Sequence, residues 1–298
     1  MGTFLRGRGC RKAHSLMARA SRVNADHGRR PKLGQNFLAD ADAAARIVEA
    51  LGDLTSATVL EIGPGRGALT GLLADRAGRV VAIEVDRVLA AQLGMQLAKR
   101  KNVEVIEGDV LAIDLSTLIT LQPGDLVPRL AAPSRAYVVG NLPYHITSPI
   151  LMRLFRFAGL IEKIVITVQR EVADRIAARP GSRDYGVLSA ATQLYTRVEK
   201  LFTLPPGAFS PAPKVYSVVL RLTVEPRAER LGVPADEFVE FLKLCFGQKR
   251  KTLANNLKIT YGEEAVRKAL AVAGVRRDAR AEALTIEQTA AVLRALRG

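Results

Sequence analysis

What most limits the fold of this chain is a rhythm of short apolar runs. They fall at Thr58-Val59-Leu60-Glu61-Ile62, Arg79–Glu84, Val103–Ile106, residues 136–140 and Lys163–Val168. Runs this short and this apolar read as strands covered on both faces. Helical segments separate them: one from Ala68, one ending at Leu97, one over Arg170–Ala178. Strands joined through helices are expected to lie parallel in one doubly wound sheet. Two further strands, Tyr195–Leu204 and Tyr216–Thr223, flank a proline-rich turn over residues 205–213, so a hairpin on one sheet edge is expected. After Pro226 the strand signal stops, and Ala235–Phe246, Thr252–Leu257, Glu263–Ala273 and Ile286–Leu296 carry helical spacing. Three segments are expected: a basic arm (1–31), an α/β domain (32–226) and a small all-helical domain (227–298).

Charge narrows the partners. The chain of 298 residues carries a formal charge of +15, which attracts polyanions and raises encounter rates with them. Nucleic acid is the expected partner. Residues 1–31 hold seven arginines and one acid, Asp26, without a helical period. They read as a disordered arm, with a mitochondrial transit segment or a start at Met17 as alternatives. No apolar run approaches the length of a membrane span. The two cysteines, Cys10 and Cys245, suit a reducing, cytoplasmic compartment better than a disulfide. With His14, His27 and His145 they show no ligand spacing, so no metal is expected.

The first strand ends in Glu61-Ile62-Gly63-Pro64-Gly65-Arg66-Gly67. Glycines let backbone turn sharply and approach a ligand closely. The second strand ends in Glu84, 21 residues after Gly63, where a carboxylate suits a ribose diol. The third leads into Gly108-Asp109, whose acid suits an adenine amino group. This is G-x-G-x-G behind an acid, not the dinucleotide pattern. S-adenosylmethionine, which has no phosphate, fits better than a nicotinamide dinucleotide. The fourth strand runs into Asn141-Leu142-Pro143-Tyr144. Pro143 cannot continue a ladder, so the chain leaves the sheet there, at the edge where open α/β sheets bind ligands. The Asn141 side-chain oxygen and the Leu142 carbonyl suit the two N–H groups of an exocyclic adenine amine, with Tyr144 stacked on the base. Positioning, without a strong general base, would then supply most of the rate. His145 reads as a loop residue.

Together these motifs resemble the ribosomal RNA adenine N6-dimethyltransferases of the bacterial KsgA/RsmA type. The resemblance runs from Lys32 to about Leu293. It rests on Leu33-Gly34-Gln35-Asn36-Phe37-Leu38, the 61–70 stretch, Glu84, Gly108-Asp109, the 141–144 tetrad, Gln169-Arg170-Glu171-Val172, Asp184-Tyr185-Gly186, Phe209-Ser210-Pro211-Ala212-Pro213-Lys214-Val215 and Arg250-Lys251-Thr252-Leu253-Ala254-Asn255-Asn256-Leu257. It implies a Rossmann-like class I methyltransferase sheet with a helical C-terminal domain. Asn36, Leu38, Gly63, Glu84, Asp109 and Asn141 would contact S-adenosylmethionine, the first two from a segment folded over it. Phe209 would lie on the target base opposite Tyr144. A basic helix carrying Lys249, Arg250, Lys251 and Lys258, with Arg276, Arg277 and Arg280, would hold RNA phosphates. The implied activity is dimethylation of two adjacent adenosines in the 3′-terminal hairpin loop of 16S rRNA, on an immature small subunit, by a monomer. An unpaired loop suits a base that must leave its stack. The stretch 121–135 is longer than the family pattern suggests and reads as a surface loop. A large-subunit enzyme of the antibiotic-resistance type, a non-catalytic assembly or mitochondrial transcription factor, and a DNA adenine methyltransferase are the alternatives.

Overall fold

The computed structural model describes residues 35–120, 135–144 and 146–298. The basic arm, most of the 121–135 stretch, Cys10 and all three histidines lie outside the described residues. Residues 35–298 form one compact unit.

The strands are β1 (Phe37–Leu38), β2 (Thr58–Ile62), β3 (Arg79–Glu84), β4 (Val103–Glu107), β5 (Ala136–Asn141), β6 (Ile161–Gln169), β7 (Thr196–Leu204), β8 (Phe209–Ser210) and β9 (Ser217–Val224). The helices are α1 (Ala41–Glu49), α2 (Thr70–Arg76), α3 (Arg87–Gln96), α4 (Leu115–Thr120), α5 (Thr147–Phe155), α6 (Arg170–Ile176), α7 (Val187–Tyr195), α8 (Ala235–Cys245), α9 (Leu253–Tyr261), α10 (Glu263–Val272) and α11 (Ile286–Arg297).

Seven strands form one sheet in the order β4-β3-β2-β5-β6-β9-β7. The first five are parallel. β9 is antiparallel to both β6 and β7, with Thr196 opposite Val224 and Leu204 opposite Ser217. The expected α/β class and edge hairpin are both present. The strand order reverses between β2 and β5, so a ligand cleft is expected outside their carboxyl ends.

Every residue of β2 and β3 is buried. Strand alternation divides their side chains between two apolar clusters. Leu60, Ile62, Val81, Ile83, Val138 and Ile166 enter one, and Val59, Val80, Val139 and Val165 the other. The second cluster is closed by α1 and α2 through Ala43, Ile47 and Leu73. The first is closed by α5 and α7 through Leu151, Leu154 and Leu194. It continues without a break into the C-terminal helices through Phe238, Phe241, Leu257 and Leu293. Helix starts follow side-chain caps: Asp40 on α1, Asp86 on α3, Thr252 on α9 and Thr285 with Gln288 on α11.

Two expected placements change. The helix after the glycine turn begins at Thr70, not Ala68, because the chain makes a further turn first. Lys249, Arg250 and Lys251 are not helical: they sit in the turn between α8 and α9, and only Lys258 lies on the helix.

Gly140 lets β5 pass close to the end of β2. A Cβ there would stand 2.6 Å from the Ile62 carbonyl oxygen, an immovable backbone atom. We predict that Gly140→Ala destabilises the protein by about 1–3 kcal/mol through forced separation of the two strands, checked by denaturant unfolding; an unchanged midpoint would contradict the close approach.

Candidate active site

The site is assembled at the carboxyl ends of β2, β3, β4 and β5 and covered by a two-stranded ribbon. Gly63, Gly65 and Gly67 all adopt positive φ. At Gly65 (φ +57°) a Cβ would lie 2.8 Å from the Phe37 ring, so glycine is required for both conformation and space. The Arg66 guanidinium lies over the Phe37 ring, 4.7 Å from its centre. Glu84 is buried, and its two oxygens accept from the Gly65 N–H at 2.9 Å and the Asp86 N–H at 3.0 Å. It therefore fixes the glycine turn. Asp109 is exposed; its Oδ1 accepts from the Leu111 N–H at 2.9 Å.

Asn36 and Leu38 flank this turn. β1 pairs with β8, Phe37 opposite Ser210 and Leu38 opposite Phe209. The Ala208 carbonyl accepts from Ala39 N–H at 2.8 Å. The Asn36 carbonyl accepts from Asn141 Nδ2 at 2.8 Å. That bond spends the donor end of the Asn141 amide on the protein and leaves Oδ1 as the acceptor. Leu142 is buried, and its N–H donates to the Thr167 carbonyl at 3.1 Å. The Leu142 carbonyl accepts no hydrogen bond among the described residues. The Pro143 carbonyl accepts from Ile146 N–H at 3.1 Å, which closes the turn. Tyr144 is half-buried, its hydroxyl 3.0 Å from Ser217 Oγ.

The geometry thus brings Asn36, Gly63, Glu84, Asp109, Asn141, Leu142, Pro143 and Tyr144 to one edge. Phe209 is 4% exposed and packs in the cluster with Leu38 and Ile47. Lys249, Arg250, Lys251 and Lys258 are exposed in the helical segment. Arg276 and Arg280 are partly neutralised by Asp278 and Glu282. Two contributors escaped the sequence reading. Ser217 lies at the start of β9, fully buried, and nothing local marks it as the partner of Tyr144. Glu61 reads in the sequence as the acid ahead of the glycines. It is 1% exposed, and neither its Oε2 nor Thr70 Oγ1 completes a hydrogen bond. Burial pushes its carboxyl up to about 8, the Thr70 hydroxyl acting against the shift and the Glu84 charge adding to it.

These residues fit S-adenosylmethionine. A Cβ at Gly63 would meet nothing within 4 Å, so there is open space beside the turn. Glu61 supplies an unpaired buried oxygen, and with Glu84 closing β3 and Asp109 just beyond β4, acids stand at the carboxyl ends of three strands. That set suits an ammonium, a diol and an amine, and opposes a pyrophosphate. Among the described residues no cluster of His, Cys, Asp and Glu is suited to a metal ion.

Residues 26–297 match the model of the ribosomal RNA adenine dimethylases. The chain belongs to this family. It is 56% identical over 279 residues to the ribosomal RNA small subunit methyltransferase A of Koribacter versatilis, covering 93% of this chain and 98% of that protein. The enzyme of the same name from Moorella thermoacetica is 42% identical, over 90% of this chain and 92% of its own. Among solved structures, the 23S rRNA methyltransferase ErmE aligns with TM-score 0.62 at 30% identity, covering 88% of this chain and all of that one. A dimethyladenosine transferase from Plasmodium falciparum shares the fold, with TM-score 0.68 at 24% identity over 86% of this chain and 96% of that one.

Glu61 gives a pH test. Its folded-state pKa of about 8 lies above the ordinary 4.5, so between these values the folded state holds the extra proton. Stability is full below the lower value and falls as pH rises toward the upper one. Glu61→Gln should flatten this decline by up to about 1.4 kcal/mol per pH unit, read from denaturant midpoints across pH 5–8 (about that window); parallel profiles for the two proteins would contradict the assignment.

Proposed function

We propose that the chain transfers methyl groups from S-adenosylmethionine to N6 of two adjacent adenosines in the 3′-terminal hairpin loop of 16S rRNA, acting as a monomer on an immature small subunit. The observation that carries this is the Asn141 amide. Its donor end is held by the Asn36 carbonyl, so its acceptor end is available beside the Leu142 carbonyl, which accepts no hydrogen bond from the described residues.

When bound, S-adenosylmethionine supplies an electrophilic methyl group on a sulfonium. Glu84 and Asp109 would hold its ribose and adenine, and Asn36, Leu38 and Gly63 would close around it. An adenine N6 has its lone pair delocalised into the ring. Asn141 Oδ1 and the Leu142 carbonyl, each accepting one N6–H, draw the amine toward a geometry in which that pair can attack. Pro143 fixes the spacing of the two acceptors, and Tyr144, tethered by Ser217, covers one face of the base. Donors and acceptors arranged before the reaction are worth most, because they need no reorganisation during it. We assign Phe209 to holding the β1–β8 ribbon through its burial, not to stacking. Residues 227–298 would act as the RNA-binding part, with Lys249, Arg250, Lys251 and Lys258 on phosphates.

The small-subunit reading is favoured over the large-subunit one by identity: 56% to the Koribacter versatilis enzyme against 30% to ErmE. No helix among the described residues is long and apolar enough to cross a membrane.

The test is methyl transfer from labelled S-adenosylmethionine to small-subunit particles from cells lacking this activity, with mass spectrometry of the digested rRNA. N6-dimethyladenosine is expected at two adjacent 3′-terminal sites, and Asn141→Ala should lower the rate by about 10²–10³. Methylation of large-subunit rRNA alone, or tight particle binding without transfer, would overturn the proposal. Ser217→Ala should cost about 1 kcal/mol of stability while relieving the quenching of a 2-aminopurine placed at the target position; unchanged quenching would show that the tether does not hold the ring.

A further inference from the structure

A cavity of about 690 Å³ opens at the other end of the sheet. Five arginines line it: Arg135 ahead of β5, Arg179 after α6, Arg197 in β7, and Arg227 and Arg230 after β9. It is far from the reaction. β5 runs from Ala136 beside the cavity to Asn141 at the site, and β9 runs back from Ser217, the Tyr144 partner, to Val224 on the cavity wall. Those seven steps along β9 span about 23 Å at roughly 3.3 Å per residue.

The charge in the cavity is only partly met. Arg197 contacts Glu199 at 2.9 Å and Glu225 at 3.2 Å, and Arg227 is paired with Glu287. Glu225 is the one acid among the lining residues. Arg135, Arg179 and Arg230 are exposed and have no carboxylate partner among the described residues. Three guanidinium groups without a carboxylate partner among the described residues thus line one hollow. Guanidinium matches phosphate oxygens in a two-pronged geometry. The lining contains no aromatic ring, so it offers phosphate contacts without the stacking platforms by which proteins seize unpaired bases.

We propose that this cavity is a second RNA-backbone site, holding phosphodiesters of a small-subunit rRNA segment other than the loop that is methylated. The proposal rests on the function argued above, because the particle is what brings a second segment within reach. Its contacts would position the enzyme on the particle and read no sequence.

The experiment measures affinity of the full chain for undermethylated small-subunit particles, and for deproteinised small-subunit rRNA, across a salt series. Wild type is compared with Arg179→Ala/Arg230→Ala, Arg179→Lys/Arg230→Lys and Arg179→Glu/Arg230→Glu, with S-adenosylmethionine binding and thermal midpoint recorded for each. Loss of two phosphate contacts should lower the slope of log affinity against log salt by about 1.5. Affinity should fall in the order wild type, lysine, alanine, glutamate on both substrates, with cofactor binding unchanged. The lysine pair keeps the charge and so separates RNA binding from damage to the fold. An unchanged slope in the alanine and glutamate pairs would overturn the proposal. So would a loss on particles alone, which would indicate an acidic ribosomal protein as the occupant. Wild-type methylation of the same particles reports separately on the proposed function.

Discussion

One hydrogen bond organises the reactive edge: Asn141 Nδ2 to the Asn36 carbonyl, 2.8 Å long and 105 residues apart in sequence. An amide that is free to turn presents either a donor or an acceptor. This one is committed. Because Asn36 precedes the β1–β8 ribbon, the orientation of Asn141 also depends on the contact of Leu38 with Phe209. Burial of Phe209 and the approach of Phe37 to Gly65 hold that ribbon in place. The same ribbon presses Phe37 against Gly65, whose N–H is held by Glu84. Cofactor turn, covering segment and acceptor pair form one mechanically connected unit.

The electrostatics of the two sheet ends differ in kind. The carboxyl end gathers Glu61, Glu84 and Asp109, which suit a cationic cofactor with hydroxyl and amine groups. The amino end gathers arginines over an aliphatic floor. A net charge of +15 is therefore not spread evenly over the fold's functional surfaces. An enzyme that must attract a polyanion and bind a sulfonium gains from this separation, because acids at the reaction centre are kept apart from the cations that meet phosphates.

Much of this was legible in the chain itself. β2 and β3 have the bounds read from their apolar runs, because strands covered on both faces show no alternation and end where glycine or acid begins. The C-terminal helices fall within a few residues of expectation because each buries one stripe and has a side-chain or turn signal at its start. α7 was missed: seven of its nine residues are buried, so no polar face marks its period. β1 and β8 were illegible as strands, since two-residue ladders exist only by meeting a distant segment. The Lys249–Lys251 run read as helix from charge and spacing, yet α9 begins only at the Thr252 cap. In the site, the residue types were readable and their partners were not. Ser217 and the Asn36 carbonyl meet Tyr144 and Asn141 through tertiary contacts alone.

The most direct measurement is a structure of the protein on an undermethylated small subunit with a non-reactive analogue of S-adenosylmethionine. The account predicts the target adenine N6 within hydrogen-bond distance of both Asn141 Oδ1 and the Leu142 carbonyl, with Asn141 Nδ2 still bonded to the Asn36 carbonyl. An adenine bound elsewhere, or an Asn141 amide turned so that Nδ2 faces the base, would contradict it.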